Sequence, residues 1–140
     1  MLPRGIRNNN PLNIRIGNAW LGEVEHPTDS QFEQFVSMEY GVRAALVLIK
    51  RYMQRYNLTT PWDIISRWAP SNENNTANYC RIVCERSGLG ALVSFSFAEK
   101  EKVVALVCAM SYVENGIEID GDLVRQVYEK IHRGEYSGSK

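Results

Sequence analysis

The chain has no excess of charge of either sign and no long apolar run. Its 140 residues include 16 Lys and Arg and 16 Asp and Glu, so the formal net charge is zero. A balanced chain has no bulk attraction to nucleic acid or to an anionic membrane. No segment reaches the roughly 20 apolar residues that a membrane-spanning helix needs. We therefore expect neither a nucleic-acid partner nor membrane insertion.

A secretion signal of the usual form is also lacking. Residues 1–7 contain basic side chains, but no apolar segment follows them. We expect a protein that is made in the cytoplasm without a signal peptide. A protein of this kind reaches the periplasm or cell wall by lysis, by delivery in a phage particle or by export outside the Sec pathway.

Residue types that bind metals or cofactors are few. Cys80 and Cys84 lie one helical turn apart and Cys108 falls in an apolar segment, which favours free thiols over a disulfide or a metal site. His26 and His132 have no metal-ligand spacing. There is no nucleophile elbow and no phosphate-binding glycine loop. We therefore expect no metal and no cofactor.

The 44% of hydrophobic residues suffices for the core of one domain. Apolar residues at helical spacing, together with start and stop signals, predict five helices. They run from Ser37 to about Tyr56, from Thr60 to about Trp68, from about Thr76 to Ser87, from the Ser96 and Glu99 capping box to Asn115, and from Asp120 through Ile131. The first thirty residues, rich in Asn, Gly and Pro, predict a loop with a small β-hairpin. The predicted fold class is mainly α with a small β-hairpin, as one domain over residues 1–133 and a flexible tail over 134–140.

The helix over residues 103–113 is apolar nearly all round, which predicts a buried central helix. Glu114 occupies its last turn, before Asn115 and Gly116 end it. The negative end of the helix dipole and partial burial both disfavour a charged carboxylate and raise its pKa. A glutamic acid that stays protonated can donate a proton to a glycosidic oxygen. Glu114 also fits an ordinary exposed helix end, and the local sequence leaves both interpretations open.

Two clusters of aromatic and amide residues could line a carbohydrate groove. The first is residues 8–15 with Trp20, and the second is Trp68 with Asn72, Asn74, Asn75, Thr76 and Tyr79. Aromatic faces stack on sugar rings, while Asn and Arg donate to hydroxyl, acetamido and carboxylate groups. The tryptophans could equally belong to the core, and the asparagines could satisfy loop backbones.

These motifs resemble a family of phage and prophage proteins that are called structural or virion proteins. The likeness extends from about Arg4 to about Glu129, and its most specific pair of motifs is Asn-Asn-Pro-Leu-Asn-Ile-Arg and Trp-Ala-Pro. The matching positions are residues 4–15, Trp20, Gly22, residues 41–44, residues 68–70, residues 73–76, Tyr79 and residues 114–116.

A second similarity concerns chemistry. Residues 9–15 with Trp20 resemble the segment that follows the catalytic helix in bacterial glucosaminidases and lytic transglycosylases, and Asn75, Asn78 and Tyr79 resemble a groove-lining helix start of those enzymes. In those enzymes the catalytic Glu ends a buried helix just before that segment. Here the comparable helix lies at the other end of the chain and ends at Glu114. The resemblance therefore implies a lysozyme-like fold that is circularly permuted.

The resemblance implies cleavage of peptidoglycan glycan strands by a muramidase, glucosaminidase or lytic transglycosylase, with Glu114 as the general acid. Asp29 is the first candidate for a second carboxylate, followed by Glu23 and Glu25, and single-acid transglycosylation needs none of them. The residues expected to bind sugar are Asn9, Asn13, Arg15, Trp20, Asn75 and Tyr79. The alternatives are a non-catalytic virion or wall-binding module and an antibacterial effector with the same chemistry. The expected partners are peptidoglycan glycan strands and, depending on which of these functions applies, a virion, secretion-system or immunity protein.

Overall fold

The computed structural model of the chain describes residues 1–71 and 75–136. In these residues the order of elements is α1 (Arg4–Arg7), α2 (Met38–Gln54), α3 (Pro61–Trp68), α4 (Thr76–Ser87), α5 (Lys100–Asn115) and α6 (Gly121–His132). The prediction of a mainly helical single domain is confirmed, and the five long helices are those predicted. Asn72 and Asn74 of the second cluster and residues 137–140 of the predicted tail lie outside the described residues.

The helices begin and end at the residues that the sequence signals indicate. Thr60 and Asp120 accept a hydrogen bond from a backbone N–H of the first turn of α3 and α6, respectively. Gly88 and Gly116 follow α4 and α5 with φ of 77° and 73°, a left-handed conformation that glycine adopts without a steric penalty. Local chemistry therefore determines these helix limits.

Helix α5 is the centre of the molecule, as its apolar sequence predicts. Eight of its residues are buried: Val103, Val104, Leu106, Val107, Cys108, Ala109, Met110 and Ser111. Helices α4, α6 and α1 pack against it, and α2 packs against α6 and α3. None of the described helices is both long enough and apolar enough to cross a membrane.

The predicted β-hairpin is wrong in extent. Among the described residues, the N-terminal region forms only two isolated antiparallel bridges, Arg15 with Phe32 and Glu23 with Phe35. A side chain replaces the missing ladder, since the fully buried carboxamide of Asn10 bonds to the N–H and C=O of Ile14 and to the C=O of a second loop segment. Buried backbone groups need partners, and here a side chain supplies them.

The N-terminal loop, residues 8–15, depends on backbone conformations that asparagine tolerates. Asn9 and Asn13 have φ of 53° and 51°, in the left-handed region where most side chains are disfavoured. The loop passes directly over α2 at Gly41, where an added Cβ atom would lie 1.7 Å from the carbonyl oxygen of Asn9. The loop and α2 therefore require a glycine at their crossing.

We expect Gly41→Ala to destabilise the protein by about 2 kcal/mol or more, because a methyl group forces the two backbones apart. The free energy of unfolding in urea measures the effect. Gly17→Ala is the matched control, since a Cβ atom at Gly17 has no heavy atom within 4 Å. The control should change stability by less than about 0.5 kcal/mol. Equal stability of the two variants would contradict the crossing described above.

Glu33 is a buried acidic residue beneath this loop. Burial first, and then the neighbouring Glu23 carboxyl, raise the pKa of Glu33 to about 7. Its Oε2 atom has no hydrogen-bond partner among the described residues. The folded protein therefore favours the protonated carboxyl of Glu33.

A carboxyl group whose pKa is raised on folding makes the folded state progressively less stable as the pH rises from the unfolded pKa to the folded pKa, and above the folded pKa the loss is complete. We therefore expect the melting temperature to fall as the pH rises from about 4.5 to about 7 and to level off above that. Glu33→Gln should remove most of that pH dependence, whereas Glu25→Gln, at an exposed position, should keep it. Thermal unfolding measured between mildly acidic and mildly alkaline pH provides the test. An unchanged slope in Glu33→Gln would show that Glu33 does not cause it.

Candidate active site

A cleft of about 620 Å³ opens beside the C-terminal end of α5. Its volume lies in the range of small-ligand sites. One wall is the loop segment 12–18, and the opposite wall comes from the end of α2 and from α3. The lining side chains from these helices are Leu48, Arg51, Tyr52, Arg55, Tyr56, Arg67, Trp68 and Ala69, and Phe32 and Glu114 complete the lining.

The half-buried carboxyl group of Glu114 is held in this cleft by two hydrogen bonds from distant parts of the chain. Asn13 Nδ2 donates to Glu114 Oε1 at 2.8 Å, across 101 residues of sequence. The hydroxyl of Tyr79, a buried residue on α4, donates to Oε2 at 2.8 Å. Both carboxyl oxygens are thus oriented, and the carboxyl group has little rotational freedom.

The pKa of Glu114 is raised, because burial penalises the charged carboxylate. Hydrogen bonds from Asn13 and Tyr79 and the positive charge of Arg15 act in the opposite direction, but they only partly offset burial. Burial and the Glu114 carboxyl also raise the pKa of Tyr79, so its hydroxyl remains a donor. The site therefore holds a carboxyl group that stays protonated to higher pH than an exposed glutamate.

The end of α5 also holds the loop that carries Asn13. Asn115 Nδ2 donates to the carbonyl of Pro11 at 2.8 Å, and on the other side Trp68 Nε1 donates to the carbonyl of Leu12 at 3.3 Å. Gly5 of α1 packs so closely that an added Cβ atom would lie 2.4 Å from Asn115 Oδ1. Asn13 is therefore positioned from both sides of the cleft.

Several predicted site residues come together here. Asn13 and Arg15 line the cleft with Glu114, and Tyr79 reaches the same carboxyl group. Arg15 is exposed, and its guanidinium lies 5.1 Å from the ring centre of Phe32.

Three other predicted sugar-binding residues do not line this cleft. Trp20 is 5% exposed and packs in the core, while Asn9 Nδ2 donates to the carbonyl of Phe35 at 3.0 Å. Asn75 caps α4 by accepting from the N–H of Asn78 at 3.0 Å, and it lines a separate depression. These three side chains support the scaffold, as their alternative interpretation allowed.

Asp29 lies outside the cleft and is engaged elsewhere. Arg4 donates to both of its carboxylate oxygens at 2.7 Å, and Asn8 Nδ2 donates at 3.0 Å. The Arg4 guanidinium holds the pKa of Asp29 far below its usual range, so this carboxylate is permanently charged.

The other two candidates for a second carboxylate lie outside the cleft as well. Glu23 accepts from the backbone N–H of Trp20 at 3.1 Å, and the side chain of Glu25 is 89% exposed. Within residues 1–71 and 75–136, Glu114 is the only acidic residue that lines the cleft.

The wall of the cleft that α2 and α3 provide was not predicted from the sequence. Arg51, Tyr52, Arg55, Tyr56 and Arg67 all line it. The signal was present, because Arg-Tyr occurs at residues 51–52 and again one helical turn later at 55–56. Paired cationic and aromatic residues on one polar helix face could have indicated a ligand-facing surface.

The part of the chain that the structure describes contains no group of three or more His, Cys, Asp or Glu side chains arranged for a metal ion. All three cysteines are free thiols, and the Sγ atoms of Cys80 and Cys84 lie 3.9 Å apart.

We expect Tyr79→Phe to raise the pKa of Glu114 further, because the variant removes a donor that favours the ionised carboxyl while leaving the ring in place. Titration of the labelled Glu114 carboxyl carbon by NMR measures the shift. Tyr112→Phe, on α5 itself, is the matched control and should leave the titration unchanged. A lower pKa in Tyr79→Phe would contradict the hydrogen bond described here.

Comparison with known proteins places the chain in a phage context. No family model matches it. Over 117 residues, which are 81% of this chain and 71% of the relative, it is 38% identical to Protein P5 of Pseudoalteromonas phage PM2. The predicted relationship to phage proteins is confirmed at this level, and the chain belongs to the family of this phage protein.

Proposed function

We propose that the protein cleaves the β-1,4 glycan backbone of peptidoglycan and that Glu114 is the general acid. The observation that carries this proposal is a single half-buried carboxyl group, oriented by two hydrogen bonds and with a raised pKa, in a cleft of about 620 Å³. A carboxylic acid in a desolvated site is the group that protonates a leaving glycosidic oxygen.

The two hydrogen bonds to Glu114 are compatible with this role. Asn13 and Tyr79 both donate, so they occupy lone pairs of the carboxyl oxygens and leave the acidic proton free for the substrate. After the proton has moved to the glycosidic oxygen, the same donors stabilise the new carboxylate. The site is therefore preorganised for both protonation states.

The carboxylate arrangement favours lytic transglycosylation over hydrolysis. A retaining glycosidase uses a second carboxylate about 5 Å from the acid, and an inverting one places it farther away to admit water. No second acidic residue lines the cleft among the described residues. With a single acid, the Glu114 carboxylate takes back a proton from a hydroxyl of the same sugar, and that oxygen bonds to the sugar's anomeric carbon to close an anhydro ring.

The lining residues suit a polar glycan. Tyr52, Tyr56 and Trp68 present aromatic surface against which sugar rings can stack. Asn13, Arg15 and Asn18 provide donors on the opposite wall for hydroxyl and acetamido groups.

A permuted lysozyme-like arrangement is part of the proposal. In the enzymes that the sequence resembles, the catalytic helix leads directly into the Asn-containing segment. Here these two pieces lie at opposite ends of the chain, and the hydrogen bonds from Asn115 to Pro11 and from Asn13 to Glu114 hold them together. A circular permutation that preserves the site requires these two pieces to lie close together in this way.

The family relationship favours a phage role over that of a bacterial effector. We propose that the protein reaches the cell wall during lysis or with the phage particle. Its substrate partner is the peptidoglycan strand, and a virion protein is the candidate protein partner.

We expect Glu114→Gln to lower the release of muropeptides from purified peptidoglycan by about a hundredfold or more, because the amide cannot donate an acidic proton. The melting temperature at neutral pH should stay the same or rise, since burial disfavours the charged carboxylate. Wild-type activity should fall as the pH rises through the folded-state pKa of Glu114, because the protonated acid is then lost. Glu118→Gln, at an exposed glutamate that pairs with Arg86, is the matched control and should keep full activity.

Mass spectrometry of the released fragments distinguishes the outcomes. Anhydro ends support transglycosylation, and reducing ends indicate hydrolysis instead. Full activity of Glu114→Gln would contradict the assigned acid. Binding to peptidoglycan without any release from wild-type protein would favour the non-catalytic virion or wall-binding module.

A further inference from the structure

The cleft carries a strong local charge in a chain whose formal net charge is zero. Four arginines line the cleft, compared with one carboxyl group, that of Glu114. The arginines are Arg15 from the N-terminal loop, Arg51 and Arg55 from the end of α2, and Arg67 from α3. Positive side chains from three separate segments therefore converge on one concavity. A concave, low-dielectric wall concentrates their field on whatever enters.

These arginines differ from several others on the surface. Arg81, Arg86, Arg125 and Arg133 each form an ion pair with a nearby carboxylate. Within the described ranges, by contrast, the cleft arginines have no carboxylate within ion-pair distance. Their charges are thus available to a ligand.

Aromatic rings hold three of the cleft guanidinium groups instead. Arg51 lies 5.2 Å from the ring centre of Trp20, Arg67 lies 4.3 Å from that of Tyr56, and Arg15 packs on Phe32 as described above. Stacking on a ring orients a guanidinium and leaves its N–H donors directed outward in its plane. These three arginines are therefore preorganised without being neutralised.

Guanidinium groups recognise carboxylates through paired hydrogen bonds, and neutral sugars offer no such partner. Peptidoglycan strands carry carboxylates on their peptide stems and, wherever a stem has been removed, on the lactyl group that held it, whereas chitin is neutral. Building on the proposed function, we propose that the four cleft arginines bind these carboxylates. This binding makes the cleft specific for glycan strands that carry carboxylates over neutral strands. Nucleic acid fits less well, because the chain has no bulk positive charge to attract a polyphosphate.

The test uses the Glu114→Gln background, so that binding is measured without cleavage. Three insoluble ligands are compared: intact peptidoglycan, peptidoglycan stripped of its peptides by an amidase, and chitin. We expect binding to peptidoglycan to exceed binding to chitin by about tenfold at low salt and to weaken as salt is added. Because the amidase frees the lactyl carboxyl of each sugar that it strips, a preference retained on stripped peptidoglycan shows that lactyl carboxylates suffice for recognition, and a preference for intact peptidoglycan alone assigns the stem peptides.

The test variant carries two substitutions, Arg55→Gln and Arg67→Gln. Both side chains are exposed and can be changed with little effect on the core. We expect this variant to lose most of the preference, because its binding to peptidoglycan falls far more than its binding to chitin. Arg81→Gln with Arg125→Gln removes the same charge elsewhere and should keep the preference. Arg55→Lys with Arg67→Lys, which keeps charge without the planar donors, should restore it only in part.

Equal binding to chitin and peptidoglycan would overturn the inference, as would a preference that survives in Arg55→Gln with Arg67→Gln. Stronger binding to DNA than to peptidoglycan would overturn it as well. Cleavage by the wild-type protein is assayed separately. A peptidoglycan preference without cleavage would overturn the proposed activity and leave the specificity of the cleft standing.

Discussion

The site depends on the contact between the C-terminal end of α5 and the N-terminal loop. This contact joins residues about a hundred positions apart, through the hydrogen bonds of Asn13 to Glu114 and of Asn115 to Pro11. A glutamate at a free helix end would be hydrated and ionised near neutral pH. Docking of the loop removes that water and supplies a donor in its place. Burial and orientation of the acid are therefore two consequences of one packing event.

The loop achieves this with side-chain amides rather than with a sheet. Asn10 cross-links the backbone inside the loop, and the left-handed conformation of Asn13 accompanies an amide directed at Glu114. The arrangement has a cost, since the Oδ1 atoms of Asn13 and Asn115 are buried and accept no hydrogen bond from the described residues. Each such atom costs about 1–3 kcal/mol. The nitrogen atoms of the same two amides are engaged, since Asn13 donates to Glu114 and Asn115 donates to the carbonyl of Pro11 in the loop that carries Asn13.

The sequence predicts the features that depend on residues close together in the chain, and it does not predict those that depend on contacts between distant segments. Helix limits such as Thr60 and Gly116 depend on neighbouring residues, and the apolar face of α5 marks it as central wherever the other helices pack. The position of Asp29 outside the cleft could not be predicted, because its partner, Arg4, lies in a short helix that no periodicity signals. The convergence of Arg55 and Arg67 on one cleft depends on how α2 and α3 pack, which no local pattern encodes.

The acid and the arginines impose opposite requirements on the same cleft. A general acid must keep a raised pKa, yet every nearby positive charge lowers it, as Arg15 does for Glu114. Arg15 is the arginine that lowers the pKa of Glu114, and two of the other cleft arginines stack on Trp20 and Tyr56. The aromatic rings thus hold positive charge on one wall of the cleft, while burial at the end of α5 raises the pKa of Glu114. The proposed function needs this separation, because proton donation and attraction of an anionic strand would otherwise oppose each other in one small cleft.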